Sequence, residues 1–450
     1  MSQTKSLVVL AGAALTMGGA AFAEQAAWSA NVDEVRALVA EMMSDAQTRS
    51  SLLQSGATAG HDGKFFLASP DGNFRLNIGG QMQFRYYASF LDSGNDPTVD
   101  EFKSGFEMRR AKLTFAGNIF DPNMFYEITG AFSQSDTTNA NGTATGSGSS
   151  FRLENAFFGY DWDNGFTARA GQFKLPFLRE ELVSSKYQLV IDRSVLNEEF
   201  NQGYSQGIEL SYKKDWFGGY LALSDGFSSN NTAFNSIGTN LSDFAITGRI
   251  EILMAGDWKQ FKEFTSPRGS EFAAMLGAAV HWQQAQDVPG ANQPQFLPYT
   301  VDISVEGDGW NLFGAFVGQY SDNDVNGPGG FNANDFGFVA QGGIMLTDEL
   351  ELFGRYDLIV PDSDRGPNDQ NFNTITAGVN YYIHGQAAKF SVDVVYNIDD
   401  TTQSSLGAMG IASSNTSNNG LATGGNNGIG MLASNEEGEF TIRAQFQLLF

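Results

Sequence analysis

From residue 73 the chain alternates. Phe74, Leu76, Ile78, Gly80, Met82, Phe84, Tyr86, Ala88 and Phe90 hold one phase, and Arg75, Asn77, Gly79, Gln81, Gln83, Arg85, Tyr87 and Ser89 hold the other. A period of two sustained this long excludes a helix and predicts a strand with one apolar and one wet face. The last residues repeat the pattern, with Phe440, Ile442, Ala444, Phe446, Leu448 and Phe450 against Thr441, Arg443, Gln445 and Gln447. In a soluble sandwich the wet face would meet water outside the sheet. In a barrel closed within a membrane it meets water inside, and a terminal aromatic suits the closing strand of such a barrel.

The rest of the chain favours the barrel. Sixteen strands are predicted, at about 74–90, 104–120, 123–134, 151–162, 165–175, 203–214, 216–225, 243–255, 271–284, 298–307, 309–321, 334–347, 349–360, 372–383, 388–399 and 438–450. Their connections alternate in length. Asp163-Asn164, Gly307-Asp308-Gly309 and His384-Gly385 are short, whereas 135–150, 176–202 and 400–437 are long. Short turns on one rim and long loops on the other is the layout of an outer-membrane barrel. The link 256–270 is long where a short one is due, and is read as an extended periplasmic turn. Trp162, Trp216, Trp258 and Trp310 all lie beside predicted periplasmic turns and read as an aromatic girdle at the headgroup boundary.

The fold class is therefore all-β, a 16-stranded antiparallel transmembrane β-barrel preceded by a short N-terminal periplasmic helix. Residues 1–23 read as a signal peptide, with Lys5, an apolar stretch from Leu7 to Leu15, and the small-x-small site Ala21-Phe22-Ala23. Residues 24–72 form a helical extension and linker, in which Val32, Val35, Val39, Met42, Ala46 and Leu53 mark an amphipathic stripe. That stripe is either a self-associating coil or a helix against the barrel mouth. Residues 73–450 form the barrel domain.

Fifty-one acidic residues face 26 basic ones, which makes nucleic acid an unfavourable partner. With no cysteine there is no thiol chemistry. His61, His281 and His384 lack ligand spacing and no nucleophile motif accompanies them, so neither a cofactor nor an enzyme is expected. Asp322-Asn323-Asp324-Val325-Asn326-Gly327 opens like a calcium loop but has Ala333 where the closing carboxylate belongs.

A channel needs charges around a water-filled waist. The wet phase of the first strands offers Arg75, Arg85, Arg110, Lys112, Glu127, Arg152, Glu154 and Arg169. The loop 176–202 adds Arg179, Glu180, Glu181 and Lys186, and its Leu182, Val183, Leu189, Val190, Ile191, Val195, Leu196 and Phe200 predict that it folds inward onto the wall. Adjacent Arg109 and Arg110 would put one charge into lipid in a regular strand. That would cost about 2–4 kcal/mol at the midplane, and Phe106 and Met108 out of phase with Leu113 and Phe115 predict a bulge instead.

Three stretches resemble the phosphate-selective porin O and P family. They are Phe74-Arg75-Leu76-Asn77-Ile78-Gly79-Gly80-Gln81-Met82-Gln83, the paired-arginine Met108-Arg109-Arg110-Ala111-Lys112-Leu113, and Gly171-Gln172-Phe173-Lys174 through Glu180-Glu181, Ser184-Ser185-Lys186 and Asp192-Arg193-Ser194. The resemblance implies a homotrimeric diffusive channel among outer-membrane lipids, passing small hydrophilic solutes or ions, anions including phosphate among them. Arg109, Arg110 and Arg193 match the family's basic pore residues. Gln81 stands where phosphate-selective members have an arginine and Glu181 where they have a binding lysine; Lys112 and Lys174 fall near binding tyrosines, and Glu154 near a site aspartate. The alternative is a structural barrel that tethers the outer membrane and conducts little.

Overall fold

The computed structural model describes residues 37, 40–41, 56–91, 101–133, 151–227, 229, 231–233, 242–285, 295–322, 332–364, 371–400, 430–431 and 437–450. The predicted signal peptide, most of the predicted helix, and the calcium-like loop after Asp322 lie outside the described residues. The chain divides into two units, 1–58 and 59–450, and the second holds the barrel.

Two short strands, β1 (Thr58–His61) and β2 (Phe65–Ala68), come first. The barrel strands follow: β3 (Arg75–Phe90), β4 (Phe102–Ile119), β5 (Asp121–Ala131), β6 (Arg152–Asp161), β7 (Phe166–Lys174), β8 (Tyr204–Lys214), β9 (Phe217–Ser224) and β10 (Ser242–Ala255). The second half comprises β11 (Ala273–Ala285), β12 (Gln295–Gly307), β13 (Trp310–Asp322), β14 (Asn332–Met345), β15 (Leu350–Val360), β16 (Phe372–His384), β17 (Ala388–Asn397) and β18 (Phe440–Leu449). Each pairs antiparallel with the next, and β18 pairs with β3, from Phe440 opposite Phe90 to Leu449 opposite Gln81. The sixteen predicted strands are all present, and closure leaves no open edge to solvate in lipid.

The seam is filled by two segments laid end to end along β3. Beyond β18, Phe450 exchanges backbone hydrogen bonds with Gly80 at 2.7 and 3.2 Å. Then β2 pairs Phe65 with Ile78 through Ala68 with Arg75. A Cβ on Gly80 would lie 2.1 Å from the Phe450 ring, so glycine is what lets that ring cross the strand.

Alternation sorts the two faces. On β13, Leu312 and Phe316 are exposed outward while Asn311, Phe313, Ala315 and Val317 are buried inward. Trp162, Trp216 and Trp310 are exposed on the short-turn rim. Trp258 departs from the predicted girdle. It packs with Leu253, Phe261 and Met275, and its Nε1 donates to the Asp215 carbonyl at 2.8 Å.

Candidate functional site: the lumen and its inward loop

The segment between β7 and β8 folds into the barrel, as its apolar composition predicts. It carries two short helices, α1 (Arg179–Leu182) and α2 (Val195–Phe200). Ser194 caps α2 by accepting from the Asn197 N–H at 2.9 Å. Phe177, Leu178, Val183, Leu189, Val190, Val195, Leu196 and Phe200 are buried against Phe313, Val317, Val339, Phe353, Ile359 and Phe372 of the wall. Each such side chain contributes roughly 1.5–3 kcal/mol when fully buried. The wall makes room for them: a Cβ on Gly337 would lie 2.8 Å from both Leu196 and Phe200.

With the loop against β13–β17, a polar cavity of about 730 Å³ remains beside β3–β8. The bulge predicted at the paired arginines is present. Gln83 pairs with Arg110 and Phe84 with Met108, which leaves Arg109 as the extra residue. Both guanidinium groups therefore turn inward and escape lipid. They meet on Asp192 of the loop. Arg109 Nε and Arg85 Nη1 each lie 3.0 Å from one carboxylate oxygen, and Arg110 Nη2 lies 2.9 Å from the other. Burial would raise the Asp192 carboxyl, but Arg110, Arg109 and Arg85 outweigh it and hold the group well below the usual carboxylate range.

A second node centres on Glu181. Lys174 Nζ lies 2.5 Å away and Arg193 Nε 3.2 Å, while Asn197 Nδ2 donates at 3.0 Å. Here too burial pushes the carboxyl up, and Arg193 with Lys174 pulls it down to about 2. A third node is Glu154, which takes Lys112 at 2.5 Å, Arg152 at 3.1 Å and the Tyr204 hydroxyl at 2.9 Å. Glu127 accepts from Asn155 Nδ2 at 2.6 Å on the same wall. Lys186 borders the cavity from the loop, and burial followed by repulsion from Lys64 holds its ammonium below the ordinary value.

Ten of the sequence-predicted residues thus line the cavity: Arg109, Arg110, Lys112, Glu127, Arg152, Glu154, Lys174, Glu181, Lys186 and Arg193. Four do not. Arg75 sits at the short-turn rim, paired with Asp62 at 2.5 Å and stacked on Phe66. Arg85 is fully buried behind Asp192. Arg169 pairs with Glu209 at 2.7 Å and lies over Phe173. Glu180 is buried under α2, where it accepts from the Ser194 N–H at 2.8 Å, and burial raises its carboxyl.

Sequence reasoning missed four groups, one of them Lys64, which borders the cavity from the turn before β2. Asp192 entered only as part of a motif, yet it is the hub of three arginines. Glu198 on α2 borders the cavity, and Lys262 reaches it from the link between β10 and β11. A signal for the loop's docking wall was present, because Leu312, Phe313, Ala315, Phe316 and Val317 make β13 apolar in both phases.

Residues 78–245 match the model of a family described as phosphate-selective porin O and P. No curated protein matches the sequence. The fold is similar to that of the outer membrane channel DcaP of Acinetobacter baumannii, at 14% identity over 83% of this chain and 97% of that one, with a TM-score of 0.53. OmpF of Salmonella typhi, in complex with daunomycin, aligns at 13% identity over 84% of this chain and 98% of its own, with a TM-score of 0.51. A trimer form of Vibrio cholerae OmpT aligns at 11% identity over 83% and 99%, with a TM-score of 0.50. At these identities the likeness shows the fold.

Proposed function

We infer that this outer-membrane porin, a passive-diffusion channel matching the phosphate-selective porin O and P family over residues 78–245, prefers anions. One observation carries the preference. Nine basic side chains line the cavity against four acidic ones, in a chain whose acids outnumber its bases 51 to 26. Positive charge is thus concentrated where solute passes, and a narrow low-dielectric passage amplifies it. The reading is a general preference for anions, without a dedicated phosphate site. Gln81 is spent on Ser185 at 3.1 Å, and Glu181 puts a carboxylate among the cavity's cations, at the position where the resemblance implies a binding lysine.

The reversal potential of single channels in a potassium chloride gradient tests this. It should favour chloride, and the double variant Arg109→Ala, Arg110→Ala should move it toward potassium. A parent channel that favours potassium would overturn the reading.

We also propose a homotrimer. Phe106 is 72% exposed on the outer face and stacks on Phe84 at 5.4 Å, an aromatic surface suited to a neighbouring copy. The mass of the detergent-solubilised complex should correspond to three chains; a mass of one chain would remove the proposal.

A further inference from the structure

The link between β10 and β11, residues 256–270, does not turn back on its own hairpin. It crosses the short-turn mouth of the barrel. Ser266 Oγ donates to the Gly307 carbonyl at 2.6 Å, Arg268 Nη2 to the Leu346 carbonyl at 3.0 Å, and Gln386 Nε2 to Glu263 at 2.7 Å. Thr265 Oγ1 meets the Tyr382 hydroxyl at 2.8 Å. These partners belong to β12, β14, β16 and the turns beside them, so the link spans the mouth from one wall toward another.

On its inner side the same link grips the inward loop. The Phe264 N–H donates to the Tyr187 carbonyl at 3.1 Å. Arg179 Nη2 donates to the Phe261 carbonyl at 2.6 Å, its Nε to Ser304 Oγ at 2.9 Å, and its guanidinium lies 5.4 Å from the Phe264 ring centre. Phe264 itself joins the loop's apolar core and lies against Phe313 at 4.8 Å. Lys262 of the link and Tyr187 of the loop both border the open cavity. A turn that only joined two strands would need none of these buried contacts.

We propose that residues 256–270 act as a second constriction element, a strap that floors the β10–β16 side of the lumen, locks the inward loop and so sets the width of the passage. Pore width is then fixed from both rims, by a loop descending from one and a strap rising from the other. The inference rests on the channel reading but not on ion preference. Unit conductance and thiol access report the strap whichever ion is favoured, whereas the sign of the reversal potential tests the preference alone.

The test uses the full chain with residues 258–270 deleted. Leu253 opposite Met275 and Ala255 opposite Ala274 already pair, so the shortened link closes as a hairpin. Because the chain has no cysteine, Ser304→Cys gives a single reporter behind Arg179. In the parent background that thiol should resist a charged thiosulfonate. In the deletion it should react, and unit conductance should rise roughly twofold with rapid flicker as the loop loosens. If the deletion yields no heat-modifiable barrel, the pair Arg179→Met, Phe264→Ala at full length is read in the same two ways. A folded variant with parental conductance and an unreactive thiol overturns the proposal.

Discussion

Asp192→Asn is expected to destabilise the barrel by about 3–5 kcal/mol and to strengthen its preference for anions. Asp192 and Arg85 are almost fully buried, Arg109 and Arg110 nearly so, and the one carboxylate serves all three guanidinium groups. Asparagine keeps the shape and loses the charge. Three closely placed cations would then lose the carboxylate they share, and removing the anion of a buried charge cluster costs far more than a lost hydrogen bond. Because the Asp192 carboxyl is depressed, its contribution is present above the ordinary carboxylate range and is lost only in strong acid. The loss of stability caused by Asp192→Asn should therefore be present throughout the neutral range rather than appear only at one end of it. Two measurements read the result: the temperature at which the barrel unfolds in detergent gels, which should fall, and the reversal potential, which should move toward chloride. An unchanged melting temperature would mean that the arginines are held by something other than this aspartate.

The second expectation concerns acidity. Glu198 lies on α2, in the loop rather than in a membrane-crossing strand, and borders the cavity. Burial and the neighbouring Asp192 push its carboxyl up; Arg109 and Arg193 pull it down and Glu181 pushes it up again, for a result of about 7. Below that value the group is neutral and the cavity keeps its excess of positive charge. Above it a carboxylate faces the arginines, and anion preference weakens. The parent should thus be more chloride-selective at about pH 5.5 than at about pH 8, while Glu198→Gln should hold the acidic-side value throughout. The linkage to folding has the matching sign. A raised carboxyl contributes stability that is full below the unfolded group's ordinary value and is lost as pH climbs through about 7. A parent whose selectivity is flat across this interval, or a Gln variant that still varies, would remove Glu198 from the passage.

What could be read beforehand follows from periodicity. Strands announce themselves by alternation, and the single break in phase between Met108 and Leu113 located the bulge that brings Arg109 inside. The inward fold of the loop was legible because Leu189, Val190, Leu196 and Phe200 have no other oil to enter. What the loop does once inside was not. A loop has no period, so nothing marked Asp192 as the partner of three strand arginines, or set Glu198 at the cavity and Glu180 away from it. Trp258 and the link that carries it failed for a related reason. Tryptophan beside a short turn reads as a headgroup anchor, and only the packing on Phe261 and Met275 shows it facing inward. The docking wall was readable in principle, from a strand greasy on both sides between Leu312 and Val317.

The shared edge of β3 has a kinetic consequence. Its pairing with β18 joins Phe90 to Phe440, and its pairing with β2 joins Ile78 to Phe65. One contact is local and forms at once, the other spans most of the polypeptide and bears a large loop-closure entropy. On loop-closure entropy the local one should arrive first and give β3 a fixed partner while the remaining strands assemble, leaving the stretch from Gly80 to Phe90 as the landing site for the final strand. A template half occupied in advance restricts the late strand to a single register, because a slip toward β2 meets a position already taken.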